Sequence, residues 1–283
     1  APTVVRTRGG RAGRGDPAPT EVRTRGGGCI RNIAHFPICR SCAMIRPHTQ
    51  HLSRTILYFP DSSFILHPSS FTMTDLLLIR HATNDWVGDR LAGWTPGVHL
   101  NAQGRGQAAA LAERLAAWPI QAIYSSPLER AVETAQAVAA GRGLEIVVEE
   151  GVGESRYGDW TGQSIKELAK TPEWMQVQFT PGLAHFPQGE ALGAMQARAV
   201  AAVERLRRQH SDGVVAIFSH ADVIKAVAAY YAGMPFDLFQ RLVIDTASVT
   251  WLRFTAHGPR LMRLNDTGTL EPPKPESSNE QPA

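Results

Sequence analysis

The feature that most constrains the fold is a regular alternation of short apolar runs with amphipathic segments, which starts at Leu76. Residues 76–79 and 214–218 are uninterrupted apolar runs of the kind that form buried strands. Residues 103–117 instead repeat apolar side chains at helical spacing, so that Ala108 and Leu111 share one face. Alternation of these two patterns is typical of a three-layer α/β domain with a mainly parallel sheet.

Later segments continue the alternation. Further apolar runs predict strands at residues 120–124, 144–148, 249–254 and 261–264. Helical periodicity predicts helices at residues 127–140, 190–209 and 221–232, the first with a proline at its start. We therefore predict one domain over residues 73–265, a three-layer sandwich in which helices flank a central, mainly parallel sheet.

The two ends of the chain differ from this domain. Residues 1–72 hold ten arginines, no lysine and three acidic residues, a net charge of +7, whereas residues 73–283 carry −4. The ten residues 1–10 return almost unchanged at 18–27, and such Arg/Gly-rich sequence buries too little apolar surface to fold alone. We interpret residues 1–72 as a disordered leader outside the working protein, and residues 266–283 as a disordered tail rich in Pro, Ser and Glu.

All three cysteines, Cys29, Cys39 and Cys42, lie in the leader. Because residues 73–283 cannot form a disulfide, we expect a cytoplasmic protein. Two other interpretations of the leader stay open, an Arg-rich transit peptide and a zinc knuckle, although its glycines oppose a helix and its ligand spacing is poor. The net positive charge lies in the leader and not in the domain, so we predict no nucleic-acid partner. The apolar runs are too short to span a bilayer, so we predict no membrane partner.

Two of the predicted strands end on functional side chains. Arg80 and His81 follow the run at 76–79, and Ser219 and His220 follow the run at 214–218. Ligands of open α/β sheets bind beyond the carboxyl ends of the strands, and His220 also precedes a helix, whose N-terminus favours anions. We therefore expect these side chains in one anion-binding crevice. A packing role for each histidine, or a zinc site, is the alternative, although no HxxxH pattern accompanies them.

Five motifs in order resemble those of the histidine phosphatase superfamily, which includes the phosphoglycerate mutases. Arg80-His81-Ala82 resembles its Arg-His-Gly signature, and residues 100–108 resemble its Leu-x-x-x-Gly-x-x-Gln-Ala helix start. Residues 124–135 resemble its second-arginine motif, residues 154–162 its acid motif, and residues 219–221 its second-histidine motif. The likeness covers about residues 75–265, and five motifs in order make it specific.

The resemblance implies a phosphoglycerate mutase-like fold and a role for five residues. His81, neutral at one ring nitrogen, would attack phosphorus and form a phosphohistidine. Arg80, Arg130 and His220 would bind the equatorial phosphate oxygens. Glu154 would protonate the leaving oxygen and then activate water. The implied catalytic residues are thus His81, Glu154 and His220, and the implied phosphate-binding residues are Arg80 and Arg130.

The departures from the family pattern lie around this set of residues. Ala82 stands where glycine is usual, and Asn84 and Val87 replace residues that often line the phosphate pocket. We predict that Asn84, Arg90 and Tyr157 form the substrate rim. These departures affect the identity of the small phosphorylated substrate, which stays open, and not the type of reaction.

No cofactor is predicted. Gly104-Arg105-Gly106 follows no strand, so it does not form a nucleotide-binding phosphate loop, and the resemblance implies no metal. The sequence does not predict an oligomeric state.

The segment after the acid motif favours hydrolysis over a mutase reaction. Phosphoglycerate mutases carry a long insert there with an Arg-Arg pair, whereas residues 159–188 contain Lys166, Lys170 and no arginine. A mutase must retain a doubly anionic intermediate, which requires additional cations. We therefore predict a phosphomonoester hydrolase that acts through a phosphohistidine. The alternatives are a cofactor-dependent phosphoglycerate mutase and a catalytically weak protein that binds phosphorylated ligands.

Overall fold

A computed structural model of the chain describes residues 73–268. The predicted leader, with its alternative interpretations, and residues 269–283 of the predicted tail lie outside the described residues. The strands are β1 Thr74–Arg80, β2 Ile120–Ser125, β3 Ile146–Val148, β4 Gly213–Ser219, β5 Val249–Thr255 and β6 Gly258–Asp266. The α-helices are α1 Ala102–Arg114, α2 Glu129–Ala139, α3 Ile165–Leu168, α4 Pro172–Phe179, α5 Leu192–Gln209 and α6 Ala221–Tyr231. Short 3-10 helices form at Glu150–Val152, Gly158–Trp160, Pro181–Leu183 and Phe236–Arg241.

The six strands form one sheet in the order β3-β2-β4-β1-β5-β6. The pairs β3–β2, β2–β4 and β4–β1 are parallel, whereas β5 is antiparallel to β1 and β6 is antiparallel to β5. The prediction of a mainly parallel sheet flanked by helices is therefore confirmed. The parallel strands are joined through helices, because the chain must return to the end of the sheet at which the preceding strand began before it can form another parallel strand.

The sheet separates two apolar cores, one on each face. Leu76 and Leu78 of β1 belong to the core that includes residues of α5 and α6. The alternate residues Leu77 and Ile79 belong to the core that includes residues of α1 and α2. Because both faces of β1 are covered, its run is apolar without interruption, and each such side chain contributes about 1.5–3 kcal/mol by burial.

The structure differs from the predicted elements in the segment after the acid motif and at the end of the last strand. The sequence did not predict α3 and α4, which are short and occupy the segment after the acid motif. The predicted tail begins one residue too early, because β6 continues through Asp266, whose side chain pairs with Arg114 at 3.3 Å. Within residues 73–268, no helix is long and apolar enough to cross a membrane.

Helix α1 packs tightly on the loop that follows His81. Gly104 lies in the first turn of α1, and a Cβ atom there would lie 1.9 Å from the carbonyl oxygen of Thr83. The side chain of Asn101 caps the same turn by accepting a hydrogen bond from the Gly104 N–H at 2.8 Å. A glycine at this position therefore lets the helix approach the loop that leads out of the predicted active site.

Gly104→Ala should lower the free energy of unfolding by about 2–4 kcal/mol, because the loop or the helix must shift to admit a methyl group. Gly106→Ala is the matched control: it lies in the same helix, and nothing lies within 4 Å of the added Cβ. Alanine's helix propensity should make that variant neutral or up to about 1 kcal/mol more stable. Urea unfolding of both variants tests this, and equal effects would contradict the packing role of Gly104.

Candidate active site

The parallel pairing of β1 with β4 places the two predicted histidines side by side. Arg80 is in register with Ser219, and the His81 N–H donates to the Ser219 carbonyl oxygen at 3.0 Å. The ring centroids of His81 and His220 are therefore 5.2 Å apart, and both side chains are buried. His220 is also the N-cap residue of α6, as the sequence predicted.

Two guanidinium groups converge on these rings. Arg80, at the end of β1, donates through Nη1 to the carbonyl oxygen of Ile244 at 2.7 Å. Arg130, in the first turn of α2, donates through Nη2 to the carbonyl oxygen of Gly93 at 2.9 Å. Arg80 Nε and Arg130 Nη1 are buried and have no hydrogen-bond partner among the described residues. Buried donors normally have a hydrogen-bond partner, so two without one indicate that a ligand supplies it. An oxyanion would accept from both N–H groups.

The hydrogen bond of the His81 ring defines its tautomer. His81 Nδ1 lies 2.7 Å from the carbonyl oxygen of Ala82. A carbonyl oxygen only accepts, so Nδ1 carries the proton and Nε2 keeps its lone pair. Burial lowers the pKa of His81 well below its usual value, and the charges of Arg130 and then Arg80 lower it further. His81 is therefore a neutral imidazole with a free nucleophilic nitrogen.

The second histidine is arranged differently. His220 Nδ1 lies 3.3 Å from Arg130 Nη2, which only donates, and His220 Nε2 lies 2.8 Å from Ser126 Oγ. Neutral His220 therefore accepts from Arg130 and donates to Ser126, which leaves no N–H for a phosphate oxygen. Burial, followed by Arg130, lowers its pKa well below the usual value. His220 can donate to phosphate only after it gains a proton, which an arriving dianion would favour.

Glu154 lies beside both His220 and Arg130. Its Oε2 lies 3.6 Å from His220 Nδ1 and 3.9 Å from Arg130 Nη2, and its Oε1 accepts from the Ser155 N–H at 2.9 Å. Burial raises the pKa of Glu154, Arg130 opposes this, and the charge of Asp222 raises the pKa further. The net direction is upward, so Glu154 retains its proton to a higher pH than an exposed glutamate.

The backbone around Glu154 is held by a residue that the sequence did not reveal. Arg198 of α5 donates to the carbonyl oxygens of Gly151, Gly153 and Glu154 at 2.9, 2.8 and 2.9 Å. It also forms a two-pronged pair with the carboxylate of Glu190 at 2.7 and 3.0 Å. Nothing local to residue 198 signals this role, because the three carbonyl oxygens that it binds lie more than forty residues away in the chain.

The predicted site residues surround one cavity of about 140 Å³. Seven of the eight line it, and only His220 does not, because it lies behind Arg130 with no exposed surface. Among the predicted rim residues, Asn84 is buried and accepts from the Trp86 N–H at 2.9 Å, so it also shapes the loop. The cavity is also lined by Asp222, which the sequence did not single out.

The cavity contains no arrangement that suggests a metal. Within residues 73–268, no three His, Cys, Asp or Glu side chains are grouped as potential ligands of one ion. The groups that meet around His81 are two guanidinium groups, a second imidazole and the carboxyl group of Glu154, and Asp222 adds a second carboxylate to the lining. They suit an oxyanion that undergoes attack by nitrogen and receives a proton.

These features define a histidine phosphatase. Residues 76–267 match the histidine phosphatase superfamily (branch 1), so the chain belongs to that family and is one of its enzymes. The resemblance based on the five motifs is thereby confirmed.

The similar proteins include phosphatases with different substrates. Phosphoserine phosphatase 1 of Hydrogenobacter thermophilus is 30% identical over 202 residues, which cover 69% of this chain and 93% of the relative. The structure of YhfR from Bacillus stearothermophilus is 30% identical with a TM-score of 0.66, and the match covers 70% of this chain and all of YhfR. A mycobacterial glucosyl-3-phosphoglycerate phosphatase is 26% identical with a TM-score of 0.62, and the match covers 69% and 99% of the two chains.

Arg198→Lys should loosen the Glu154 loop, because an ammonium group cannot replace a planar fork that binds several acceptors at once. We expect the free energy of unfolding to fall by about 1–3 kcal/mol and the amides of residues 151–154 to exchange faster with solvent. Arg208→Lys is the matched control, since Arg208 lies on the same helix and its side chain is 65% exposed beside Glu204. Hydrogen exchange by mass spectrometry checks this, and unchanged protection of the loop would contradict it.

Proposed function

We propose that this chain hydrolyses small phosphomonoesters through a phosphohistidine formed on His81. One observation carries the proposal: the hydrogen bond from Nδ1 to the Ala82 carbonyl oxygen leaves Nε2 as a free nucleophile beside two unpartnered arginine donors. Two buried guanidinium groups are costly without an anion to pair with them. A histidine with only a packing role would not need such neighbours, so their presence favours a phosphate site.

In the first step, the lone pair of His81 Nε2 attacks phosphorus, and the bond between phosphorus and the ester oxygen breaks. Arg80 and Arg130 bind the equatorial oxygens, on which the charge of the transferring group is concentrated. Glu154 gives its proton to the leaving oxygen, so that an alcohol departs instead of an alkoxide. Its raised pKa supports this role, because a general acid must be protonated when the bond breaks.

In the second step, the Glu154 carboxylate accepts a proton from water while the water oxygen attacks phosphorus. The bond between phosphorus and Nε2 breaks, and its electron pair returns to a neutral His81. Inorganic phosphate leaves, and Glu154 is protonated again. The low pKa of His81 favours this step, since a neutral imidazole is the stable product in this site.

The charges around the cavity support a hydrolase over a mutase. Arg80 and Arg130 serve the first phosphate, whereas Arg90 is paired with Asp89 at 3.3 Å and is half exposed. Lys170 is paired with Glu167 at 2.6 Å on the surface of the segment after the acid motif. A mutase must hold a second anionic group during the reaction, and among the described residues the one further cation that lines this cavity is Arg90, which pairs with Asp89.

His81→Ala should abolish both the phosphoenzyme and the release of phosphate from p-nitrophenyl phosphate, because no other lone pair replaces Nε2. His257→Ala, which removes an exposed histidine, should change neither. The trapped phosphoenzyme should be labile in acid and stable in base, as a phosphoramidate is. A label that is stable in acid and lost in base would overturn the mechanism.

The same preparation separates the hydrolase from the mutase. Phosphate should be released from small phosphomonoesters without a bisphosphorylated primer. If 2- and 3-phosphoglycerate interconvert only after priming, and no phosphate is released, the protein is a mutase.

Glu154→Gln should slow the phosphorylation of alkyl phosphates about 10²–10⁴-fold and that of p-nitrophenyl phosphate far less, because nitrophenolate leaves without a proton. The measurement is the single-turnover burst, since steady-state rates also contain the water step. Glu150→Gln, in the same loop with an exposed side chain, is the control. Equal slowing of both substrates would show that Glu154 is not the general acid.

The pH dependence of the burst follows from the same two groups. Because burial raises the pKa of Glu154, the alkyl phosphate burst should persist to a higher pH than the pKa of an exposed glutamate would allow, and fall as pH rises through the raised pKa. Because the pKa of His81 is lowered, the rate should not fall near 6.5, the usual histidine value, as pH decreases. Glu154→Gln should remove the alkaline fall and keep the acid side unchanged.

A further inference from the structure

We infer that Asp222 makes this cavity select phosphomonoesters whose leaving group ends in a hydrogen-bond donor, an ammonium or a hydroxyl, and reject those that end in a carboxylate. The inference rests on the proposed function, since it concerns the substrate of the same cavity. It adds a specificity-determining residue that forms no bond and transfers no proton in the proposed mechanism.

Asp222 is placed to meet the leaving group. It lies in the first turn of α6, two residues after His220, and lines the cavity together with Glu154. Its Oδ1 accepts from Lys225 Nζ at 3.1 Å, and no hydrogen bond from the described residues reaches Oδ2. Gln240 holds Lys225 from the other side at 3.0 Å, so the aspartate is fixed with one oxygen still unengaged. Its side chain is 20% exposed, which leaves the carboxylate accessible from the cavity.

A carboxylate here has opposing effects on the transfer chemistry. Its charge raises the pKa of Glu154, but a negative charge beside a site for a phosphate dianion opposes binding of that dianion. Charges that disfavour one class of ligand are a usual means of selecting another. Asp222 therefore weakens the binding of the phosphate dianion, and a favourable interaction with the rest of the substrate would offset that loss.

Among the residues that line the cavity, Asp222 is the charged acceptor available to the leaving group, beside the neutral side chains of Asn84 and Tyr157. Val87, Leu91 and Ile165 are apolar, and Arg90 is directed to Asp89. An ammonium or hydroxyl near the ester carbon would find an acceptor in Asp222, whereas a carboxylate would meet a like charge. The small volume of the cavity, about 140 Å³, favours a leaving group of a few heavy atoms.

A series of four small esters tests the inference: aminoethyl phosphate, hydroxyethyl phosphate, propyl phosphate and phosphoglycolate. They differ mainly in the terminal group of the leaving alcohol. Values of kcat/KM are measured for each ester with the wild-type protein and with Asp222→Asn. Only the ratios between esters are compared, so the amount of active protein cancels. An effect of Asp222 on Glu154 acts on all four alkyl esters in the same direction, so it does not produce opposite shifts.

Relative to propyl phosphate, Asp222→Asn should lower kcat/KM about 10- to 100-fold for aminoethyl phosphate and less for hydroxyethyl phosphate. It should raise the relative kcat/KM for phosphoglycolate about 10-fold, because the like charge is removed. The shape of the side chain is retained, so a change in packing does not explain opposite effects on two esters of similar size.

Two further variants complete the design. Lys225→Gln leaves the charge of Asp222 unpaired, so it should shift the ratios in the opposite direction, toward aminoethyl phosphate and away from phosphoglycolate. Glu167→Gln is the matched control, because it removes a carboxylate from another i,i+3 pair with lysine, on the surface of α3. The ratios of that variant should equal those of the wild-type protein.

The outcomes separate this inference from the proposed function. If p-nitrophenyl phosphate turnover depends on His81 while Asp222→Asn changes all four esters by the same factor, the selectivity of Asp222 is wrong and the hydrolase stands. The inference is also wrong if the wild-type protein prefers phosphoglycolate to aminoethyl phosphate. If no ester yields phosphate or a phosphoenzyme, the proposed function fails, and the inference fails with it.

Discussion

The parallel pairing of β1 with β4 is the constraint on which the rest of the site depends. Its register sets Arg80 opposite Ser219, so the residues that follow, His81 and His220, leave the sheet at the same edge. Each strand is buried on both faces, and the two apolar cores hold the pair rigidly. The N–H of Ala247, two residues before β5, donates to the carbonyl oxygens of Arg80 and His81 at 3.2 and 3.3 Å, which ties the segment that leads into β5 to the same corner.

Burial governs the chemistry at this corner. It lowers the pKa of both imidazoles and raises the pKa of Glu154, so the site favours neutral histidines and a protonated Glu154. The same burial leaves Arg80 and Arg130 with donors that no described residue satisfies. Such a site is a compromise, because the features that suit it to an anion reduce the stability of the empty protein. The packing of the two cores offsets that cost.

The sequence predicted the strand ends because the signal there is local. An apolar run followed by Arg80 and His81, or by Ser219 and His220, shows both a buried strand and the polar group at its end. The motifs around Arg130 and Glu154 then identified the remaining groups through their resemblance to a family. The structure brings these residues together, while their individual roles stay predictions.

Residues that act through distant partners could not be predicted in this way. In the sequence, Arg198 is an ordinary basic residue of a long helix, yet in the structure it holds the loop of Glu154. Glu190 was predicted to begin that helix, whereas α5 begins at Leu192 and the Glu190 carboxylate binds Arg198. Asp222 follows a recognised motif, but only the fold shows that it lines the cavity. The position of His220 beside Arg130 likewise depends on the packing of α2 against β4, which no sequence period encodes.

The floor and the rim of the cavity belong to different parts of the chain. The floor comes from strand ends and from the first turn of α2, whose packing fixes their side chains, whereas Val87, Arg90 and Ile165 come from loops and a short helix. Substitutions of these three residues should therefore cost little stability and leave the reacting groups in place. Such a division lets descendants of one ancestral gene acquire new substrates one mutation at a time while the inherited chemistry is conserved.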